Sequence, residues 1–228
     1  MMLLPAWWKG SAPYQIRDCV EGLKEIPDGV VDLFLTDPPY GNAMTYGREA
    51  RTIENDDGLG WLSKVVPEIY RILKDGTWCI CFGQWRTFAQ FHEVFDFVGF
   101  GLKTVAIWDK GLLGMGSGIS EEYEMIYFFK KGDPPIMKHR GNMFRYNRFT
   151  QTPEHPNIKP DELFIDLINL ASKKGDIVID PYLGSGTTLL ATRKTDRIGL
   201  GFEIDKQYET TIRRRALIDV SSLEAWGI

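Results

Sequence analysis

Two short runs, Val30-Val31-Asp32-Leu33-Phe34-Leu35 and Ile177-Val178-Ile179, are almost continuously apolar. A strand with one wet face alternates apolar and polar residues. A run without that alternation is buried on both faces, as in a parallel sheet covered by helices above and below. Further strand-like runs occupy Tyr14–Asp18, Thr77–Gly83, Lys103–Asp109, Tyr123–Phe129 and Arg197–Glu203. Between the strands, Pro160–Ser172 sets Leu163, Phe164, Leu167, Ile168, Leu170 and Ala171 on one helical face. Leu59–Leu73, Gln84–Phe97, Gly186–Thr195 and Lys206–Ile218 also read as helices. The alternation predicts an α/β fold with an open, mostly parallel, doubly wound sheet of about seven strands. The runs at 103–109 and 123–129 are joined by a glycine-rich loop (Gly111, Gly114, Gly116, Gly118), which predicts a hairpin-like pair within that sheet. No internal repeat or Gly/Ser linker interrupts residues 1–228, so a single domain is expected, with 130–156 as its least regular segment.

Composition narrows the function classes. With 43% hydrophobic and 13% aromatic residues the chain can build a core and is not expected to be disordered. No apolar run is long enough for a membrane helix, so no membrane partner is expected. The opening Met1-Met2-Leu3-Leu4-Pro5 lacks a basic n-region, so a secretory leader is not expected either. Three cysteines, Cys19, Cys79 and Cys81, form neither a disulfide framework nor a zinc pattern, which predicts a reduced, cytoplasmic setting and no metal. The net charge of −4 would discourage a nucleic-acid partner, but its distribution does not. Residues 130–150 hold Lys130, Lys131, Lys138, Arg140, Arg145 and Arg148 against Asp133 alone, with Phe144, Tyr146 and Phe149 interleaved. A basic segment on an acidic chain is either a solvated loop or a phosphate contact; Lys138, Arg140, Arg145 and Arg148 are the candidates for the latter.

Two loops at predicted strand ends carry the chemistry. Thr36-Asp37-Pro38-Pro39-Tyr40-Gly41 follows the apolar run ending at Leu35, where open α/β sheets place their ligands. The two prolines fix φ and remove two N–H groups, leaving a rigid turn of one carboxylate, bare carbonyls and a ring. Such a surface accepts hydrogen bonds and stacks, which suits a planar group bearing NH₂, such as a base edge. Asp133-Pro134-Pro135-Ile136 is an internal control, since it follows the charged Lys130-Lys131-Gly132 and lacks the aromatic partner. The second loop, Asp180-Pro181-Tyr182-Leu183-Gly184-Ser185-Gly186-Thr187-Thr188, joins a strand to a helix. Its glycines allow close backbone approach at a helix N-terminus. About twenty residues on, Glu203 ends the next strand, where an acid hydrogen-bonds a ribose diol in nucleoside-binding folds. The loop lacks the third glycine of a dinucleotide fingerprint and the Gly-Lys-Ser/Thr of a phosphate loop. A nucleoside without a phosphate tail fits both absences.

Together these motifs resemble the amino-methylating DNA methyltransferases that use S-adenosyl-L-methionine. Asp37-Pro38-Pro39-Tyr40 looks like their catalytic tetrapeptide, and Asp180–Thr188 looks like their Asp-Pro-Phe-x-Gly-Ser-Gly-Thr-Thr cofactor loop with Tyr182 in place of Phe. The order, catalytic motif first, resembles the permuted β group. His155-Pro156-Asn157-Ile158-Lys159-Pro160 looks like that group's His-Pro-Thr-Gln-Lys-Pro segment, which abuts the methionine part of the cofactor. Asp18 resembles the aspartate near the cofactor adenine, and Glu124 the acid of a later family motif. The resemblance implies a Rossmann-like methyltransferase fold and S-adenosyl-L-methionine held by Asp18, His155, Lys159, Pro160, Asp180, Tyr182, Gly184, Ser185, Gly186, Thr187 and Glu203. It implies DNA as partner, with a short recognition segment at about 130–154. A homodimer and a companion restriction endonuclease are admitted but not specified, and the host is a prokaryotic or virus-infected cell.

In the implied mechanism, Asp37 and the Pro38 carbonyl accept hydrogen bonds from an exocyclic amino group and Tyr40 stacks on a base flipped out of its duplex. Asp rather than Ser at the first motif position favours adenine N6. Cytosine N4 is the alternative within the family, and protein glutamine amides are a more distant one.

Overall fold

A computed structural model of the chain describes residues 4–39, 59–111, 120–147 and 159–217. Eight strands form one sheet: β1 (Tyr14–Ile16), β2 (Val31–Thr36), β3 (Leu73–Gly83), β4 (Gly101–Asp109), β5 (Tyr123–Lys131), β6 (Met143–Arg145), β7 (Ile177–Asp180) and β8 (Ile198–Glu203). Their order is β1-β8-β7-β2-β3-β5-β4-β6. β5 runs antiparallel to β3 and β4, and every other neighbouring pair is parallel. The expected β4–β5 pair is therefore present, inserted into a mostly parallel, open sheet.

β6 is the strand that the sequence did not announce. Only Phe144 of its three residues is buried, and its pairing with Ile107–Asp109 comes from tertiary contact rather than from pattern. Helix α1 (Cys19–Lys24) was also not expected. It is only six residues long and starts on the Asp18 side chain, which accepts the backbone N–H groups of Val20 and Glu21.

The apolar runs divide between two layers. Phe34 of β2 and Cys79 and Cys81 of β3 face α1, α2 (Leu62–Ile72) and α3 (Phe88–Val98), packing with Leu23, Val65, Ile69, Phe91 and Phe95. Their strand neighbours Leu33, Leu35, Ile80 and Phe82 face the opposite way, onto α4 (Asp161–Ala171) and Ala191 of α5 (Thr187–Lys194). In α4 the six positions read as an apolar face are all buried. A third cluster, Leu183, Leu189 and Ile212, seats α6 (Glu209–Leu217) against α5. No helix among the described residues is long and apolar enough to cross a membrane.

This topology creates one special position. From β2 the chain passes through α2 to β3 on one side; from β7 it passes through α5 to β8 on the other. β2 and β7 are neighbours, so the winding reverses between them. Ligands of open α/β sheets bind outside the carboxyl ends of the strands at such a switch point.

Candidate active site

Both motif loops leave the sheet at that switch point. β2 ends at Thr36 and runs straight into Asp37-Pro38-Pro39, while β7 ends at Asp180. Asp180 ties the two loops together. Its Oδ1 accepts the Thr36 hydroxyl at 2.6 Å and the Tyr182 N–H at 3.0 Å, and its Oδ2 accepts the Thr188 hydroxyl at 2.5 Å. The side chain is only 2% exposed. Burial pushes its carboxyl up to about 6 against the three hydrogen bonds, with Asp37 adding to the rise. Asp180 is thus a brace between loops, and its neighbours keep it from being an open ligand contact.

The next strand contributes a second buried acid. Glu203 ends β8, and its two oxygens accept the backbone N–H groups of Gly184 (2.7 Å) and Asp205 (2.9 Å). Burial pushes this carboxyl up to about 7, although both backbone bonds favour the charged form. Each oxygen keeps a further lone pair with which to accept a hydroxyl. Gly184 and Gly186 lie at φ 49° and 81°, the left-handed region that side chains avoid. A Cβ on Gly186 would meet the backbone of Ile212 at 3.3 Å, so this glycine serves the packing of α6 as well as the turn. Ser185 accepts a hydrogen bond from Arg215 at 2.7 Å, and the same guanidinium donates to Asp161 at 2.5 Å. Burial lowers the Arg215 pKa, although Asp161 opposes it. That brace between α6, the glycine loop and α4 had no sequence signal, because its members lie far apart in the chain.

Lys159, which the resemblance assigns to the cofactor, lies beside Asp37. Its ammonium lies 2.5 Å from Asp37 Oδ2 and 3.1 Å from Glu124 Oε2, and the residue is 7% exposed. It therefore faces Asp37 at the start of the Asp37-Pro38-Pro39 turn. Pro160 caps α4. Tyr182 packs edge-on against Trp61 at 5.1 Å. Tyr40, Arg148 and His155 lie outside the described residues.

The basic segment does not act as one surface. Arg140 donates to Asp166 and to the Met143 carbonyl and covers the Phe144 ring, so the structure uses it to fasten β6 to α4. Lys138 is exposed; its neighbour Met137 donates to Leu170 near the end of α4. Arg145, 73% exposed, ends β6 beside Asp109. Of the four expected phosphate contacts, Arg148 lies outside the described residues, and Arg145 is the exposed one on the loop side of the sheet, beside Asp109. Lys138 lies toward the other edge, and Arg140 is bound internally.

A family model described as DNA methylase, of the N6/N4 class, matches residues 31–214. The chain belongs to this family. It is 30% identical over 203 residues to YubD of Escherichia coli (strain K12), with 87% of each chain covered. It is 25% identical over 228 residues to the type II methyltransferase M.HpaI of Haemophilus parainfluenzae, covering 87% of this chain and 72% of that one. Among solved structures, the cytosine-N4-specific PvuII DNA methyltransferase superposes with a TM-score of 0.75 at 17% identity, over 90% of this chain and 86% of that chain. The M1.HpyAVI–SAM complex does so at 0.72 and 20% identity, over 90% and 98%. Both share the fold.

The residues present fit S-adenosyl-L-methionine, the group that the resemblance of the motifs implies. Glu203 offers acceptor lone pairs at a glycine turn, and the loop carries no lysine that would call for a phosphate. Beside the loop, Trp61 Nε1 is a buried donor with no hydrogen-bond partner in the described structure.

Proposed function

We propose that this methylase transfers the methyl group to N6 of adenine in DNA. The observation that carries the reading is the Asp37 carboxylate, held by a buried ammonium at the carboxyl end of β2 and one strand away from the Asp180–Glu203 loops. A delocalised exocyclic amine is a poor nucleophile. Hydrogen bonds from its N–H groups to Asp37 and to the Pro38 carbonyl localise the lone pair on nitrogen and turn it toward the reaction partner. The fixed charge of Asp37 then meets the positive charge that grows on nitrogen, and such preorganised electrostatics is usually the largest catalytic contribution.

Bound S-adenosyl-L-methionine supplies an electrophilic methyl group on a sulfonium. The chain's own residues hold and orient it. Glu203 takes the ribose hydroxyls, and the turn at Gly184 lets backbone approach. Asp18, whose carboxylate starts α1, borders the adenine end. Asp180, Ser185, Gly186 and Thr187 shape the loop from behind. Tyr40 stacks on the flipped base by family resemblance, and Arg145 with Arg148 meets the DNA phosphates.

The test is mass spectrometry of nucleosides from DNA incubated with purified protein and donor. N6-methyladenine is the expected product. N4-methylcytosine in its place moves the reaction to the other base of the family. Unmodified DNA with methyl groups on a protein amide overturns the DNA reading.

A further inference from the structure

Lys159 brings together four elements that are distant in sequence. Its ammonium contacts Asp37 from β2 and Glu124 from β5, and it lies 5.4 Å from the Phe82 ring centre (β3) and 5.7 Å from that of Trp108 (β4). Lys110 faces Glu124 from the far side at 3.7 Å, and the charge of Asp37 is felt by Asp180 across the switch point. A buried ammonium is strongly unfavourable unless paired. Burial works toward a neutral amine here, but the charges and hydrogen bonds of Asp37 and Glu124 outweigh it and push the lysine above its ordinary range. The lysine is therefore a permanent cation.

Its charge is also already spoken for. Among the described residues, two lysines, Lys159 and Lys110, face two acids, Asp37 and Glu124, so the four charges balance within this group before a third carboxylate arrives. The methionine carboxylate of a cofactor would be such a third anion. The attraction present at hydrogen-bond distance is the one for Asp37.

On the reading of Asp37 given above, we propose that Lys159 is a positioning residue for the transfer step. It fixes the Asp37 carboxylate at the tip of β2 through Oδ2 and keeps it ionised, and Glu124 holds the lysine from its other side. Lys159 acts through Asp37 and has no direct part in holding the cofactor.

The experiment compares parental chain, Lys159→Met, Glu124→Gln, Asp37→Asn and the double variant Asp37→Asn/Lys159→Met, each assayed for turnover on DNA and for S-adenosyl-L-methionine affinity by calorimetry. In Lys159→Met, kcat is expected to fall about 10- to 100-fold, the range of a lost electrostatic partner, with cofactor Kd within about threefold. Added to Asp37→Asn, the same change is expected to cost less than about threefold more, because residues acting as a unit are not additive. Glu124→Gln keeps the lysine paired with Asp37 and removes one charge; its kcat falls by a smaller factor, also without a change in Kd. A raised Kd with undiminished kcat makes Lys159 a cofactor ligand and overturns the proposal, as does an additive double variant. If Lys159→Met loses its cooperative melt, Glu124→Gln decides: parental kcat there overturns the proposal. A parental chain that methylates no DNA overturns the adenine reading and this inference with it. A parental chain that methylates DNA while Lys159→Met keeps its kcat overturns the inference alone.

Discussion

The two edges of the same sheet treat acids in opposite ways. At the carboxyl edge, Asp180 and Glu203 are buried and pushed upward, to about 6 and about 7. At the amino edge, Asp133 and Asp196 are exposed and held below their ordinary range by Lys130 and Lys174. The chain even places one Asp-Pro-Pro turn at each edge. Asp37 follows β2 and meets a buried lysine; Asp133 follows the antiparallel β5, which carries it to the start of β3, and its side chain is 93% exposed. Identical tripeptides thus acquire different chemistry from the direction of the strand that delivers them. Among the described residues, the two buried acids, Asp180 and Glu203, both lie at the carboxyl edge, where burial is expensive for the charged form.

The largest expected effect tests this contrast directly. Asp37→Ala removes the amino acceptor and the charge that balances the developing cation, so methyl transfer should fall by about 10²- to 10³-fold, with cofactor affinity nearly preserved. Asp133→Ala, at the other edge, should leave turnover within about threefold. Steady-state methylation of DNA by both variants measures the ratio. Equal losses would show that the turn acts wherever it lies, and the edges would cease to matter.

The second effect is on stability against pH. Glu203 ordinarily titrates near 4.5 and Asp180 near 3.8, and both are raised in the folded chain. Between the ordinary and folded values the native state binds more protons than the unfolded one. Stability is therefore fullest below the ordinary value and is lost as pH rises through the folded value. Each group accounts for up to about 3 kcal/mol between pH 4 and 8. Thermal melts should show falling stability over that window, and Glu203→Gln should flatten it. Asp133→Asn and Asp196→Asn should leave that window unchanged, because those acids titrate below it.

A smaller effect separates fold from ligand within the glycine loop. Gly186→Val combines φ 81° with a Cβ at 3.3 Å from Ile212, so it should cost about 1–3 kcal/mol of stability. Gly184 has the same handedness and donates to Glu203, so its replacement should weaken cofactor binding as well. Calorimetry beside melting curves distinguishes the two. Cofactor loss without destabilisation in Gly186→Val would make that glycine a ligand contact.

Much of this arrangement is legible in the sequence, and for identifiable reasons. Leu33-Phe34-Leu35 and Ile177-Val178-Ile179 announce strands covered on both faces, and Glu203 is visible because its distance from the glycine loop is set by one helix and one strand. What is not legible depends on tertiary contact. β6 has a single buried residue, α1 rests on one capping side chain, and Arg140 looks free until Asp166 is brought beside it by α4. Lys159 is the clearest case. Its segment points to the cofactor by resemblance, but only folding shows that Asp37 and Glu124 converge on its ammonium.

The smallest effect concerns DNA and the path of the basic segment between the two edges. From Asp133 at the amino edge the chain climbs along α4: Met137 contacts Leu170, Arg140 contacts Asp166, and Arg145 emerges beside Asp109 at the carboxyl edge. A flipped base bound at Asp37 would leave its phosphates near the carboxyl edge. Each phosphate contact contributes about 0.9 to the slope of log affinity against log salt, so Arg145→Ala should flatten that slope by about 1. Lys138→Ala should leave it unchanged, because Lys138 lies toward the amino edge. Arg140→Ala should also leave the slope unchanged while lowering stability by about 1–3 kcal/mol, since it strips Asp166 of a partly buried partner. Fluorescence anisotropy of a duplex at several salt concentrations measures all three. A slope reduced as much by Lys138→Ala as by Arg145→Ala would mean that the duplex wraps down the flank of α4, and the amino edge would then belong to the substrate surface.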